Sequence, residues 1–257
     1  MLLYGAKPRR CTPSTVVFVE HSKPKSSLTF AADFARVGEI LEAIVPTTID
    51  GRQAVLEMRN GGSKNWKQME WIGFYLEFLV ETKILPLVKG GPGPTYGNTT
   101  IDLMLSTPWD LKSHPLGQPT VILNDKEAVN LCIEEYETIS YFLLEGKATY
   151  DDDQQSFKNW HDSLKGKESK YVRDGKKTGR PSRRRKATFV PTGFRGIELT
   201  KASLQHGIKT GAIKSFQDGM QNSNGKARRG KYLLDPSNID QVFRTATIVL
   251  PGACVAE

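Results

Sequence analysis

Apolar residues recur with helical spacing in two segments of the first half of the chain. The first runs from Phe30 to Val45, and the second begins at Trp66 and continues to Lys83, since Pro86 is the next proline. Residues three or four positions apart lie on the same face of a helix. We therefore predict an amphipathic helix over each segment. In the first, the apolar face is formed by Phe34, Val37, Ile40 and Leu41.

Two further helices are predicted in the second half. Residues 125–144 form a long segment with acids at Asp125 and Glu127, in the first turn, where the helix dipole favours negative charge. Residues 201–216 are also helix-like, but Gly207 and Gly211 interrupt the pattern. We expect a long helix over 125–144 and a broken one over 201–216.

Short runs of β-branched and aromatic residues indicate strands between these helices. The predicted strands are Ser14–Glu20, Gln53–Met58, Ile101–Leu105, Trp109–His114, Thr120–Asn124, Ala187–Pro191, Gly193–Leu199 and Thr245–Leu250. Gly61, Gly62 and Ser63 predict a turn, and Gly90–Pro94 predicts a loop before the strands near residue 100. This succession favours an α/β (α+β) fold with a mixed β-sheet flanked by helices.

The positive charge of the chain is concentrated in one segment. The 257 residues carry a net charge of +8, whereas residues 158–186 alone hold twelve Lys or Arg and three acids. Such a basic, Gly-rich and apolar-poor stretch predicts a loop or flap that orders on the phosphate backbone of nucleic acid. A mobile basic loop with no role in recognition is the alternative. The candidate nucleic-acid contacts are Lys176, Lys177, Arg180, Arg183, Arg184, Arg185 and Lys186, with Arg228 and Arg229 in a second basic cluster.

Composition limits the other classes of function. The three cysteines are scattered at positions 11, 132 and 254, so no zinc site or disulfide framework is expected, and a reducing cytoplasm is the expected location. No apolar run is long enough to span a membrane. We divide the chain into residues 1–150, a core with the candidate chemistry, and residues 151–257, with basic DNA-binding elements integrated with that core.

The candidate chemistry lies around residues 102–112. Asp102 interrupts an apolar run, and Asp110 and Lys112 follow it after a tight turn through residues 106–108. A hairpin would bring both carboxylates and the ammonium to one end. Two neighbouring carboxylates repel each other unless a cation lies between them, and Mg²⁺ prefers such oxygen ligands. The alternative is an edge-strand aspartate beside an ordinary surface Asp/Lys pair, since acid-x-Lys also occurs four times elsewhere.

Ile101-Asp102-Leu103 followed by Trp109-Asp110-Leu111-Lys112 resembles the PD-(D/E)xK nuclease signature, especially that of type II restriction endonucleases. The resemblance covers about a dozen residues. It implies that Asp102 and Asp110 bind the metal, with the main-chain carbonyl of Leu111 as a further ligand, and that Lys112 serves the attacking water. The proline of the signature is absent, because Thr100 and Ile101 precede Asp102.

Members of this family usually carry a glutamate on a helix ahead of the hairpin. Glu77 and Glu70 are both candidates, seven residues apart on one face of the predicted second helix. Glu77 follows Gly73 at the spacing that the family favours, and Glu70 is the second choice. The alternative is that both are surface glutamates.

The resemblance implies a Mg²⁺-dependent restriction endonuclease with a restriction-endonuclease-like core, which cuts double-stranded DNA at a short site. A palindromic site would imply a homodimer. Two other functions stay open: a repair or junction-cleaving nuclease of the same family, and a non-catalytic DNA- or RNA-binding protein.

Overall fold

The computed structural model describes residues 16–19, 27–166, 173, 175, 177, 179, 184–222 and 225–250. Within these ranges it is a mixed α/β structure with a central mixed β-sheet flanked by helices. The helices are α1 (Ser27–Ile44), α2 (Gly51–Asn60), α3 (Trp71–Leu79), α4 (Lys126–Tyr136), α5 (Ser156–Leu164) and α6 (Lys201–Thr210). A 3₁₀ turn (Lys64–Lys67) precedes α3, and a π-helical turn (Val80–Ile84) follows it.

The strands are β1 (Val16–Val19), β2 (Ile49–Asp50), β3 (Gly91–Pro92), β4 (Thr95–Tyr96), β5 (Thr99–Thr100), β6 (Leu103–Met104), β7 (Pro108–Pro115), β8 (Val121–Asp125), β9 (Thr138–Tyr150), β10 (Lys186–Thr200), β11 (Ile213–Phe216), β12 (Lys231–Leu234) and β13 (Arg244–Val249). The central sheet has the order β1-β13-β10-β9-β7-β6-β3, and β2 pairs with β10. Only β7 and β9 pair in parallel among these strands. A second sheet has the order β11-β12-β8.

Both faces of the central sheet are covered. In β9, Phe142 and Leu144 belong to the hydrophobic cluster formed with α1, α2 and α3, whereas Tyr141 and Leu143 belong to the cluster formed with α4 and α6. All four side chains are at most 1% exposed. Alternate residues of a strand point to opposite faces, so a strand buried on both faces is a continuous apolar run. Since β10 and β13 also belong to this sheet, residues 151–257 contribute to the same core as residues 1–150.

The prediction of a single long helix over 125–144 is wrong in its second half. Helix α4 ends at Tyr136, and Glu137 has a φ of +66°, the left-handed conformation that ends the helix. The residues that follow form β9, in which Ile139 and Tyr141 are fully buried. The apolar run on both faces of this strand is compatible with helical periodicity, which explains the error.

The predicted strand at Gln53–Met58 is also wrong, because these residues belong to α2. The Asp50 side chain accepts a hydrogen bond of 2.9 Å from the Gln53 main-chain N–H and caps the helix. Ala54, Val55 and Met58 are each at most 1% exposed, and their spacing defines one helical face.

The predicted helix from Trp66 to Lys83 is divided into three parts. Trp66 lies in the 3₁₀ turn, α3 begins only at Trp71, and the π-helical turn completes the segment. Glu70 is therefore the residue before α3 and lies outside the helix that carries Glu77. The predicted helix at the N-terminal side is confirmed as α1, with Phe34, Val37 and Leu41 at most 2% exposed.

The remaining strand predictions are largely confirmed. The segments at residues 16–19, 121–124 and 245–249 are strands, and the two short segments at 187–199 are one long strand, β10, with irregularities beside Thr188 and Gly193. The broken helix at 201–216 is α6, which ends at Gly211 with a φ of +81°, followed by β11. Of the helices in the described ranges, none combines the length and apolar character needed to cross a bilayer.

Candidate active site

The hairpin predicted around residues 102–112 is present as β6 and β7. Leu103 pairs with Trp109 and Met104 pairs with Pro108, so the turn lies at residues 105–107. Asp102 immediately precedes β6, and its Oδ2 accepts a hydrogen bond of 2.7 Å from the Leu111 main-chain N–H. This bond holds the Asp102 carboxylate beside the middle of β7.

Asp110 and Lys112 point to the same face of β7, since they are two residues apart in a strand. The Lys112 ammonium forms an ion pair with Oδ2 of Asp110, whose side chain is only 2% exposed. The Asp110 Oδ1 accepts a hydrogen bond of 2.6 Å from the Asn124 amide at the end of β8. Both oxygens of Asp110 are thus held by side chains that fix the orientation of the carboxylate.

Helix α3 brings Glu77 to the same cluster. The Glu77 carboxyl is close enough to Lys112 and Asp110 for their charges to affect its pKa. Glu70, in contrast, has a side chain that is 64% exposed and pairs with Lys186. Both glutamates border one cleft, but only Glu77 lies at the aspartates and lysine.

Burial raises the pKa of two acids in this cluster. The pKa of Asp102 is raised to about 8 by burial and by the negative charge of Asp110, although Lys112 and the Leu111 N–H act in the opposite direction. Burial raises the pKa of Glu77 to about 7. Burial alone would lower the pKa of Lys112, but the charges of Asp110, Asp102 and Glu77 outweigh it and raise that pKa. One ammonium therefore does not keep both Asp102 and Glu77 fully ionised at neutral pH.

A cleft of about 310 Å³ opens at this cluster. Its lining includes Glu77, Leu111, Lys112 and Asn124. Because the Leu111 side chain is buried in the core, Leu111 meets the cleft through its main chain. The N–H and C=O of a strand residue point to the same side, so the Leu111 carbonyl faces the side on which its N–H binds Asp102. A ligand in the cleft would therefore contact Glu77, Lys112 and the Leu111 main chain, whereas Asp102 and Asp110 lie behind these lining residues.

The donor set suits a cation that keeps part of its water shell. No group of three or more His, Cys, Asp or Glu side chains is arranged to hold a metal ion within the described ranges. Mg²⁺, however, is usually held by one or two carboxylates and completed by water and substrate phosphate. Asp102, Asp110 and the Leu111 carbonyl fit that requirement, and a cation beside them would favour the charged form of Asp102, whose pKa burial raises.

The predicted nucleic-acid contacts have different environments. Lys176, Arg180 and Arg183 lie outside the described residues, and Lys177 is exposed with a helical backbone. Arg184 is exposed and donates 2.7 Å to the Asp151 carbonyl.

Arg185 and Lys186 have partners within the protein. Arg185 is 4% exposed and forms an ion pair of 2.7 Å with Asp162, so its guanidinium is engaged inside the protein. Lys186 pairs with Glu70, which lines the cleft. Arg228 and Arg229 are exposed and line a second cleft, and Arg229 pairs with Asp125 at 2.7 Å.

Several residues at the site were not predicted from the sequence. Asn124 orients Asp110, and the neighbouring Asp125 accepts hydrogen bonds or ion pairs from Thr99, Arg229 and Lys231. The available signal was the pair of polar residues that ends the apolar run of β8, the same kind of signal that identified Asp102. Comparison with protein-family models, curated proteins and solved structures finds no match to this chain.

Proposed function

We propose that this protein is a Mg²⁺-dependent type II restriction endonuclease, which hydrolyses phosphodiester bonds in double-stranded DNA at a short specific site. Asp102, Asp110, Lys112 and Glu77 converge in one cluster, and two of them, Lys112 and Glu77, line an open cleft. This arrangement is the observation that carries the proposal. The net charge of +8 favours a polyanionic substrate.

Asp102 and Asp110 would hold Mg²⁺, with the Leu111 carbonyl as a further oxygen ligand. When bound, Mg²⁺ would supply positive charge that offsets the charge developing on the phosphate and would lower the pKa of a coordinated water. The Leu111 N–H and the Asn124 amide hold the two carboxylates in place before substrate binds. Such preorganisation lowers the cost of reaching the transition state.

Lys112 would act as a hydrogen-bond donor, and Glu77 would act as a proton acceptor. Burial lowers the pKa of Lys112, but the neighbouring carboxylates outweigh this effect and keep it charged. Its ammonium would donate hydrogen bonds to the attacking water or to the phosphate. Glu77, whose pKa burial raises to about 7, is suited to accept the proton of that water near neutral pH.

A non-catalytic DNA-binding protein is the second candidate function. Both oxygens of Asp110 already have partners, Asn124 and Lys112, as in a buried structural ion pair. In that case the aspartate would stabilise the hairpin and would be dispensable for any reaction. The basic surface would remain in either case.

The proposal also includes a dimeric state and a location. The dimer is expected if the recognised site is palindromic. Equivalent cuts in both strands need two related active sites, so we infer a homodimer with twofold symmetry. The enzyme would act in the cytoplasm, where its three scattered cysteines would stay reduced.

The test is to incubate several large plasmids and genomic DNA with the full chain and Mg²⁺. Discrete fragments are expected from the wild-type protein, and Asp110→Ala should cut at least about a hundredfold more slowly while it retains DNA binding in Ca²⁺. Lys209→Ala is the matched control, since it removes an exposed lysine that lines neither this cleft nor the one beside it. A smear would indicate a nonspecific nuclease of the same family. Uncut DNA that is nevertheless bound, or full activity of Asp110→Ala, would reject the proposal.

A further inference from the structure

The chain between β11 and β12 forms a short two-stranded ribbon, which we define as residues 217–222 and 225–230. The Arg228 N–H donates 2.8 Å to the Met220 carbonyl, and the Asn222 N–H donates 2.8 Å to the Lys226 carbonyl. Gln221 forms a β-bridge with Ala227 between these two bonds. A turn, in which the Met220 N–H donates 3.1 Å to the Gln217 carbonyl, separates this short antiparallel pairing from β11 and β12.

The arms of the ribbon contact the rest of the protein through polar groups: Asp218 pairs with Lys126, and Arg229 pairs with Asp125. Residues 218–222 and 225–229 are all exposed. Polar main-chain pairing without an apolar face gives little stability to an isolated two-stranded ribbon. The exposed side chains of the ribbon, Arg228 among them, are available to a partner.

The base of the ribbon adjoins the catalytic cleft. A second cleft of about 280 Å³ is bordered by the ribbon residues Gln217, Asn222 and Arg228. Lys231 lines this cleft and the catalytic cleft, so the two are neighbours. A DNA duplex is large enough to contact both.

The basic residues of the second cleft differ in whether they form an ion pair within the protein. The ammonium of Lys231 and the guanidinium of Arg229 both pair with Asp125, at 3.0 and 2.7 Å. Arg228 is exposed and has no ion-pair partner within the described part of the chain. Beside it lie the neutral amides of Gln217 and Asn222. One unbalanced guanidinium with two carboxamides is a set that makes paired hydrogen bonds to base edges: Arg to guanine, and Gln or Asn to adenine.

We infer that the ribbon enters the major groove of the DNA duplex whose phosphate lies in the catalytic cleft, and that Arg228, Gln217 and Asn222 read base pairs there. This inference rests on the proposed function for its substrate and adds the element that determines the recognised sequence. The major groove is wide enough for a two-stranded β-ribbon. Arg229 and Lys231, held by Asp125, would then contact the phosphate backbone between the reading element and the catalytic cluster.

The test is a binding selection from a duplex pool with a randomised segment, carried out in Ca²⁺ with the full chain. The wild-type protein should enrich a defined sequence. Arg228→Ala should lose its preference at a G·C pair, and Gln217→Ala at an A·T pair, by about 10- to 100-fold each. Lys209→Ala should enrich the same sequence as wild type. Thermal unfolding of each variant checks that it is folded.

Two results would overturn the inference. If Arg228→Ala weakens binding equally for all sequences and lowers the salt dependence by about one counterion, its contact is to phosphate only. If all ribbon variants enrich the wild-type sequence with wild-type affinity, the ribbon lies outside the interface. The selection requires no cutting, so a ribbon-dependent preference in a protein that never cleaves DNA would reject the nuclease proposal alone. Cleavage with an unchanged site in all ribbon variants would reject the ribbon inference alone.

Discussion

Replacement of Asp102 by asparagine should stabilise the protein at alkaline pH when divalent cations are removed. Burial, with the negative charge of Asp110, raises the pKa of Asp102 from 3.8 to about 8. The folded protein therefore pays a free-energy penalty for the ionised form that the unfolded chain does not. Asparagine removes the charge, and its side-chain oxygen can still accept the hydrogen bond from the Leu111 N–H.

The size of the effect follows from the size of the shift. One pKa unit corresponds to about 1.4 kcal/mol, so a rise from 3.8 to about 8 gives an upper limit of roughly 6 kcal/mol above pH 8. Local relaxation and entry of water reduce such burial penalties, and we expect a net gain on the order of 2 kcal/mol. For a chain of this size, that gain corresponds to an increase in Tm of about 4–8 °C.

The stability gained by Asp102→Asn should increase with pH. Because the pKa of Asp102 is raised on folding, the penalty is absent below about pH 4 and complete above about pH 8. Thermal unfolding in EDTA at pH 5, 7 and 9 should therefore show a growing advantage of Asp102→Asn over wild type. Asp153→Asn, which alters a fully exposed side chain, is the control and should differ from wild type by less than about 0.5 kcal/mol at each pH. A variant that is no more stable than wild type at pH 9 would refute the electrostatic reasoning.

Three other predictions concern the basic residues Lys112, His161 and Arg185. Lys112→Met should destabilise the protein by about 3 kcal/mol at pH 8, because it leaves the buried Asp110 without its cation; equal stability in a urea titration would contradict this. Burial lowers the pKa of His161 to about 4, so stability should fall by about 3 kcal/mol as the pH decreases from 6.5 to 4, and His161→Gln should reduce that slope. An unchanged slope in this variant would reject the assignment. Arg185→Ala should cost about 2 kcal/mol, because it removes a guanidinium that is itself 4% exposed and paired with Asp162, whereas Arg228→Ala should change stability by less than about 0.5 kcal/mol; similar unfolding curves for both would contradict their different environments.

The hairpin at residues 102–112 could be predicted because its information is local. A polar residue in an apolar run, a tight turn and an acid-x-Lys pattern lie within about a dozen residues. Pairing of adjacent strands then brings Asp102 beside Leu111 without help from the rest of the chain. Glu77 required one further assumption, that the preceding helix packs at the hairpin.

The parts of the site that the sequence did not predict depend on distant pairing. Asn124 reaches Asp110 because β8 leaves the central sheet and pairs with β12, a partner about a hundred residues further along the chain. Nothing in the local pattern indicates this partner. Similarly, Arg185 forms an ion pair with Asp162 and is buried. A count of basic and acidic residues in the segment does not show which of them pair.

The two incorrect element predictions have a common physical cause. The buried strand β9 and the short helix α2 both contain closely spaced apolar residues, so their local patterns suit helix and strand alike. Single residues determine which of the two structures forms. Glu137, in the left-handed conformation, ends α4 before β9, and Asp50 caps the start of α2. An aspartate followed by Gly51 is a recognisable cap signal, whereas the backbone conformation of Glu137 cannot be predicted from its side chain.

Sequencing the ends of genomic DNA digested by the wild-type protein with Mg²⁺ tests the central claim most directly. A catalytic centre at Asp102, Asp110 and Lys112 predicts ends with 5′-phosphates and one shared sequence across each cut, and no such ends with Asp110→Ala. Ends at random positions would contradict site specificity. Intact DNA in the presence of a folded protein that binds it would contradict a catalytic role for these residues.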